Sequence, residues 1–428
     1  MSLIKSHINT LLSLCFLFLS TNANGQFRKK KEVPEQAFGF LMNTRSASVS
    51  IPFKVYSNLV VVQAKLDERD SLNFIIDTGV SSIFITDPEL AEELDFDYVR
   101  EVSIAGAGEE TELLAKVSVN HKFVLDEITG YQQNVVVLSR DILQLSEFMG
   151  IPIHGIFGHS LFESYVVSID FNTMYLTVTK PDRFKLRRRH GTAYPIVVTQ
   201  NKPYTDAFAL VDQENGTQKP LRLVIDTGAG HALLLNSENS HIDLPEKTIR
   251  ANLGRGLNGE IYGEIGRVSK ISVGDVEVND ILASFPDSLS FSMKFPPTDA
   301  NRQGSIGGEF LRRFKVTLNY QEGYMALKAN KRKINQPFEH DMSGLDIRAY
   351  RDNLHRYYIK NITPDSPADK AGLQVDDEIV FFNSKNSSEI SLTEIYNLLS
   401  KKEGKMIDII YRRNGKLGVT AFELKRII

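Results

Sequence analysis

An apolar run ending in Asp-Thr-Gly occurs twice in this chain, as FIIDTGVSSIFI at 74–85 and as LVIDTGAGHALLL at 223–235. The similarity extends beyond the tripeptide. IAGAGEE begins at Ile104 and LGRGLNGE at Leu253, each 27 residues after its aspartate, and GIFGHSLFESYVVSIDFNTMYLTV at 155–178 matches GSIGGEFLRRFKVTLNYQEGYMAL at 304–327. In the last block Gly158 and Gly307 each follow the aspartate by 81 residues. Three matches in register are the signature of a duplicated domain. Around them lie short runs rich in β-branched and aromatic residues, such as LVVVQAKL, QNVVVL and YVVSIDF, separated by turn residues, the pattern of a β-rich fold.

The duplicated motif suits acid–base chemistry. A strand running into Asp-Thr-Gly places Asp77 or Asp226 at the mouth of a tight turn, and Gly79 or Gly228 there is expected to supply a backbone conformation that a side chain would hinder. Two carboxyls held within a few ångströms cannot both ionise cheaply, so the pair shares one proton. The ionised member can then take a proton from water while the protonated one donates to a peptide carbonyl oxygen, with no metal or cofactor required. Thr78 and Thr227 are expected to bond across the interface between the copies and hold the two loops in register.

These residues resemble the aspartic proteases of the retropepsin and pepsin group. The apolar-apolar-Asp-Thr-Gly strand is their signature, and Ile156-Phe157-Gly158 and Ser305-Ile306-Gly307 match the Ile-Ile-Gly-like element that retropepsins carry before a helix. The resemblance implies a mainly β fold: two tandem retropepsin-like β-barrel lobes related by a pseudo-twofold axis, with the aspartates facing one another. It also implies flaps at the glycine-rich blocks, with Ile104, Gly106 and Gly108 in the first lobe and Gly254, Gly256 and Gly259 in the second. This chain departs from the family pattern at Val80, where Ala or Ser is common, and at Gly230 and His231, which replace Ser81 and Ser82 of the first copy.

The last 90 or so residues are of another kind, with strand-like runs alternating with the helical stretch SLTEIYNLLSKK, capped by Ser391 and Glu394. ITPDSPADKAGLQVDDEIVFFN resembles bacterial PDZ domains, with Asp376 where a glycine is usual. The resemblance places a carboxylate-binding loop at Ser343, Gly344, Leu345, Asp346 and Ile347, whose backbone N–H groups would receive a peptide C-terminus.

Composition limits the partners. Lys and Arg total 50 against 53 Asp and Glu, a net charge of −3, which gives no global reason for nucleic-acid binding, and the Arg-rich stretch PDRFKLRRRHG reads as a solvated connector. The N-terminus has Lys5, an apolar run from Leu11 to Leu19 and small residues to Gly25, the pattern of a signal peptide, with a membrane anchor as the alternative. The only cysteine, Cys15, lies within it, so disulfides and thiol catalysis are not expected of the mature chain. The expected order is a signal peptide at 1–25, a flexible leader at 26–50, lobes at 51–180 and 195–330 joined by a basic linker at 181–194, and a PDZ domain at 338–428. The expected product is a monomeric, exported (periplasmic or secreted) endopeptidase acting on polypeptides, free of integral membrane segments once cleaved. Its alternative is a silent peptide-binding scaffold derived from one.

Overall fold

Each lobe is built from short strands in which alternate or continuous apolar side chains face a core, as in Ser48–Tyr56 (SVSIPFKVY), where Val49, Ile51 and Phe53 point inward. The computed structural model describes residues 37–104, 106, 113–211, 218–240, 242–257, 259–287 and 302–428. The architecture is mainly β, in three sheets.

The lobes repeat one strand order. In lobe 1 the strand leading to Asp77, Arg69–Ile76, pairs parallel with Gly155–Phe157, and Ile83–Ile85 pairs parallel with Ile128–Leu138. Lobe 2 repeats this with Lys219–Ile225 against Gly304–Ile306 and Leu233–Leu235 against Val276–Pro286. Glycine is dictated by space where these strands cross: a Cβ on Gly158 would come 2.6 Å from the carbonyl oxygens of Val80 and Ser82.

A sheet shared by the lobes joins them. Val166–Asp170 of lobe 1 lies antiparallel to its own counterpart, Phe314–Asn319 of lobe 2, with Val167 opposite Leu318, Ser168 opposite Thr317 and Ile169 opposite Val316. Ser168 and Thr317 occupy equivalent positions 149 residues apart, and their hydroxyls are 2.8 Å from one another. A strand paired with its own copy about a central residue is a self-complementary contact, so the pseudo-twofold axis passes through this pair. Thr192–Pro195 and Tyr324–Ala329 extend the sheet on one side, Tyr175–Thr179 and Ser48–Tyr56 on the other.

Two differences from the sequence reading concern boundaries. Residues 39–50 are not a flexible leader: Gly39–Met42 pairs with Ile128–Leu138, burying Phe40 and Met42, and Ser48–Tyr56 pairs with Tyr175–Thr179. Four residues are too few for periodicity to mark a strand. The basic connector is ordered as two single turns, Pro181–Arg183 and Arg188–His190, with His190 buried and stacked near Phe184. The expected signal peptide lies outside the described residues.

The C-terminal domain has its own core around Ile347, Ile359, Phe382, Ile395 and Ile409. Its sheet runs Leu345–Tyr350, Asn353–Ile362, Glu378–Phe382, Met406–Arg413, Lys416–Glu423, leaving Leu345–Tyr350 as an edge strand beside the helix Leu392–Leu399. Ser391 caps that helix reciprocally with Glu394.

Candidate active site

Backbone pairing carries each Asp-Thr-Gly to the axis. Asp77 N donates to Phe157 O and Asp226 N to Ile306 O, both at 2.9 Å, so each aspartate leaves its strand at the same height. Beyond them the threonines interlock. Thr78 N donates to Thr227 Oγ1 at 3.1 Å and Thr227 N to Thr78 Oγ1 at 3.0 Å, while the hydroxyls donate onward to Ile225 O at 2.5 Å and Ile76 O at 2.8 Å. Both side chains are buried. Four hydrogen bonds between fully desolvated groups fix the loops against sliding, and leaving any partner unsatisfied would cost about 1–3 kcal/mol.

This grip brings the two carboxyls together. Asp226 acts on Asp77 as a like charge, and the glycine of each motif lies against the opposite carboxyl. Asp77 also accepts from Gly79 N at 2.6 Å, and Asp226 from Gly228 N at 3.1 Å. Burial, and then the charge of Asp226, push the Asp77 carboxyl well above the ordinary carboxylate range. Desolvation and a neighbouring like charge both disfavour the ionised form.

The glycines of the motif are needed for a reason other than the expected one. Neither Gly79 nor Gly228 has a positive φ. A Cβ on Gly79 would instead stand 2.9 Å from Asp226 Oδ1, and one on Gly228 would overlap the Asp77 carboxyl. Each glycine makes room for the opposite aspartate.

The departures near the second motif also have spatial causes. The tight turn at Ser57–Asn58 of lobe 1 presses into lobe 2, where Asn58 Nδ2 donates to Gly230 O at 3.0 Å and a Cβ on Gly230 would lie 2.6 Å from Ser57 O. His231 lies half-buried beside Asp226, with Nε2 3.0 Å from Ser305 Oγ, and desolvation lowers its pKa to about 4, so it is a neutral group near neutral pH. Tyr320, at the lobe 2 position equivalent to Phe171, stacks on Phe162 with its hydroxyl buried, and burial together with both aspartates raises its pKa far above the usual value. His231 stood out in the sequence only as a departure from the first copy, and Tyr320 did not stand out, because nothing local distinguishes it.

Of the flap residues, Ile104 ends the strand Tyr98–Ile104 and Gly106 is described, whereas Gly108 lies outside the described residues. In lobe 2 the hairpin of Thr248–Gly256 and Gly259–Val273 contains all three named glycines. Gly254, at φ +127°, sits at a bulge and Gly259, at φ +94°, follows the tip. Arg255 near that tip donates to Ile142 O of lobe 1 at 3.0 Å, and Leu257 packs on the lobe 1 cluster that includes Ile142, Leu143 and Ile156.

The PDZ loop does not offer open N–H groups. The Asp341 carboxylate accepts from Ser343 N at 3.1 Å, Ser343 Oγ at 2.6 Å, Leu345 N at 3.2 Å and Gly344 N. The Tyr396 hydroxyl accepts from Ile347 N at 2.8 Å and donates to Ile347 O at 3.0 Å. Asp346 is paired with Arg348 at 3.1 Å. A half-buried carboxylate two residues ahead of the loop thus takes the N–H groups expected to receive a peptide terminus, because N–H groups shielded from water need an acceptor.

Residues 62–161 and 212–310 each match an aspartyl protease family model, and residues 358–413 match a PDZ domain. The two lobes are tandem retropepsin-like aspartyl protease domains. The third domain is a PDZ domain, a peptide-binding module. The chain is also similar to the 26S proteasome non-ATPase regulatory subunit 9 of Homo sapiens, 44% identical over 59 residues, and to that of Rattus norvegicus, 42% identical over 59 residues. These stretches are 14% of this chain, and 26% and 27% of those proteins, so the chain spans about a quarter of the length of the curated relatives it matches.

Proposed function

We propose that the tandem lobes form an exported aspartic endopeptidase in which Asp77 and Asp226 activate water against a peptide carbonyl. The observation that supports this reading is the approach of the two carboxyls at the pseudo-twofold axis, each against the other motif's glycine, with Asp77 pushed above the ordinary carboxylate range by burial and by Asp226. In the reaction the ionised carboxylate takes a proton from water as the oxygen attacks the carbonyl carbon, and the protonated partner donates to the carbonyl oxygen. As the tetrahedral adduct collapses and the C–N bond breaks, one adduct hydroxyl returns its proton to the now ionised carboxylate while the protonated carboxyl donates to the departing nitrogen. Extended polypeptides suit a site set between two lobes, with the lobe 2 hairpin reaching lobe 1 beside it. The leader sequence supports export to a periplasmic or extracellular space.

The test is digestion of a mixed peptide library, with new N-termini read by mass spectrometry. Cleavage fastest below neutral pH, unaffected by chelators and lost in Asp226→Asn, is the expected result. Undiminished cleavage in that variant would sink the reading.

A further inference from the structure

The PDZ domain, the loop region 141–151 of lobe 1 and the tip of the lobe 2 hairpin meet at one junction. From the PDZ side, the edge strand Leu345–Tyr350 packs on the short helix Leu145–Met149. Arg348 lies 4.7 Å from the Phe148 ring centroid, and Arg351 pairs with Glu89 at 2.7 Å and Asp141 at 3.7 Å. Gly150 ends the helix at φ +68°, and a Cβ there would stand 3.1 Å from Leu392 Cβ, so the chain passes tightly against the start of the PDZ groove helix. From the other side come the Arg255 contact with Ile142 O and the seat of Leu257.

Charge ties the three pieces together. Asp141 and Glu147 of the shared segment both lie in the field of Arg255 from the hairpin and Arg351 from the PDZ domain, and Arg348 also acts on Glu147. Arg255 is held toward them by Glu260, its partner across the hairpin at 2.5 Å. Two acids on one short segment are thus flanked by cations from both neighbours, in half-buried surroundings where such attraction is less screened than at a free surface.

The PDZ edge that packs here is also closed to an added strand at Ile347, whose N–H and carbonyl are both taken by Tyr396. Its nest is filled by Asp341. The surface that would receive an external peptide is turned to internal use.

We propose that the PDZ domain is an internal clamp whose partner is lobe 1 of the same chain, and that by fixing the 141–151 segment it holds the lobe 2 hairpin closed across the cleft. Arg255 is then a positioning residue that acts through Ile142. The proposal assigns regulation to the cleft of the proposed peptidase, but its geometry stands whether or not the dyad turns over.

Hydrogen–deuterium exchange of the full chain tests it without reference to catalysis. Arg351→Glu places an acid against Glu89 and Asp141 at an exposed site, and retained thermal unfolding of the lobes verifies the fold. Exchange in 248–262 is expected to rise about tenfold together with exchange in 141–151, because local opening sets amide protection. A second variant combines Arg351→Glu with Arg348→Ala and Phe148→Ala and so removes the ring contact as well. Hairpin protection equal to wild type in this triple variant overturns the proposal. Arg255→Met should loosen the hairpin alone, leaving Leu345–Tyr350 protected; loss of protection at that PDZ strand as well would show the hairpin holding the PDZ domain, and would overturn the stated direction of control. Should peptidase activity prove absent while the exchange pattern holds, the functional reading fails and the clamp stands.

Discussion

Desolvation pushes both Asp341 and Asp77 upward in pKa, but the groups set around the two carboxyls differ. Desolvation raises the Asp341 pKa, opposed in part by the charge of His340, three backbone N–H groups and a hydroxyl. Asp77 receives one N–H, from Gly79, and faces a second carboxyl. The same side chain becomes an organiser of a loop in one setting and, in the other, an acid set against a like charge. Donor count and the sign of the nearest charge decide which.

The largest expected effect tests that division directly. Asp77→Asn or Asp226→Asn should lower kcat/KM on peptide substrates by about 10²–10⁴-fold, the range general acid–base groups supply, while Asp341→Asn should leave it within a few-fold of wild type. Comparable losses at both sites would erase the contrast. Next, Asp341→Ala strands Ser343, Gly344 and Leu345 N–H groups without their acceptor and should cost the PDZ domain about 2–3 kcal/mol in urea denaturation. Thr78→Val removes a donor and an acceptor from the interlobe grip and should cost about 1–2 kcal/mol, with kcat falling more than KM rises because the carboxyls lose their register.

The smallest effect is a gain. The folded-state pKa of Asp77 is raised, so its contribution to stability is present below the unfolded carboxylate range and is lost as pH rises through the folded value. Asp77→Asn cannot ionise. Its melting temperature should exceed wild type by about 2–4 °C at pH 8, the shift that about 1 kcal/mol produces in a protein of this size, and the difference should vanish near pH 3. A variant equally or less stable at pH 8 would mean that the charged form of Asp77 is well accommodated.

The duplicated Asp-Thr-Gly strands were legible in sequence because both halves had to meet the same local demands of apolar strand, turn and close crossing. That symmetry is what made the repeated architecture readable. The role of Gly79 was misread: its φ is ordinary, and the demand for a missing Cβ comes from Asp226, remote in sequence. The same holds for Gly230, whose neighbour is Ser57, and for Arg255, whose acceptor lies 113 residues away. The filled PDZ nest escaped notice for the opposite reason. Asp341 acts on residues only two to four positions later, and a single Asp before a loop motif is too common to signal that it satisfies it.

The strand pairing about Ser168 and Thr317 has a consequence for how the protein comes into being. The hairpin Phe314–Ala329, last element of the second lobe, slots between Val166–Asp170 and Thr192–Pro195, so the first lobe's sheet is completed by residues near the other end of the pair. Such remote contacts form late, after the cost of closing a long loop has been met. A nascent chain lacking those residues has both acids but no common floor to set them on. Whatever reactivity the pair possesses must therefore be born with the finished polypeptide, not during its emergence.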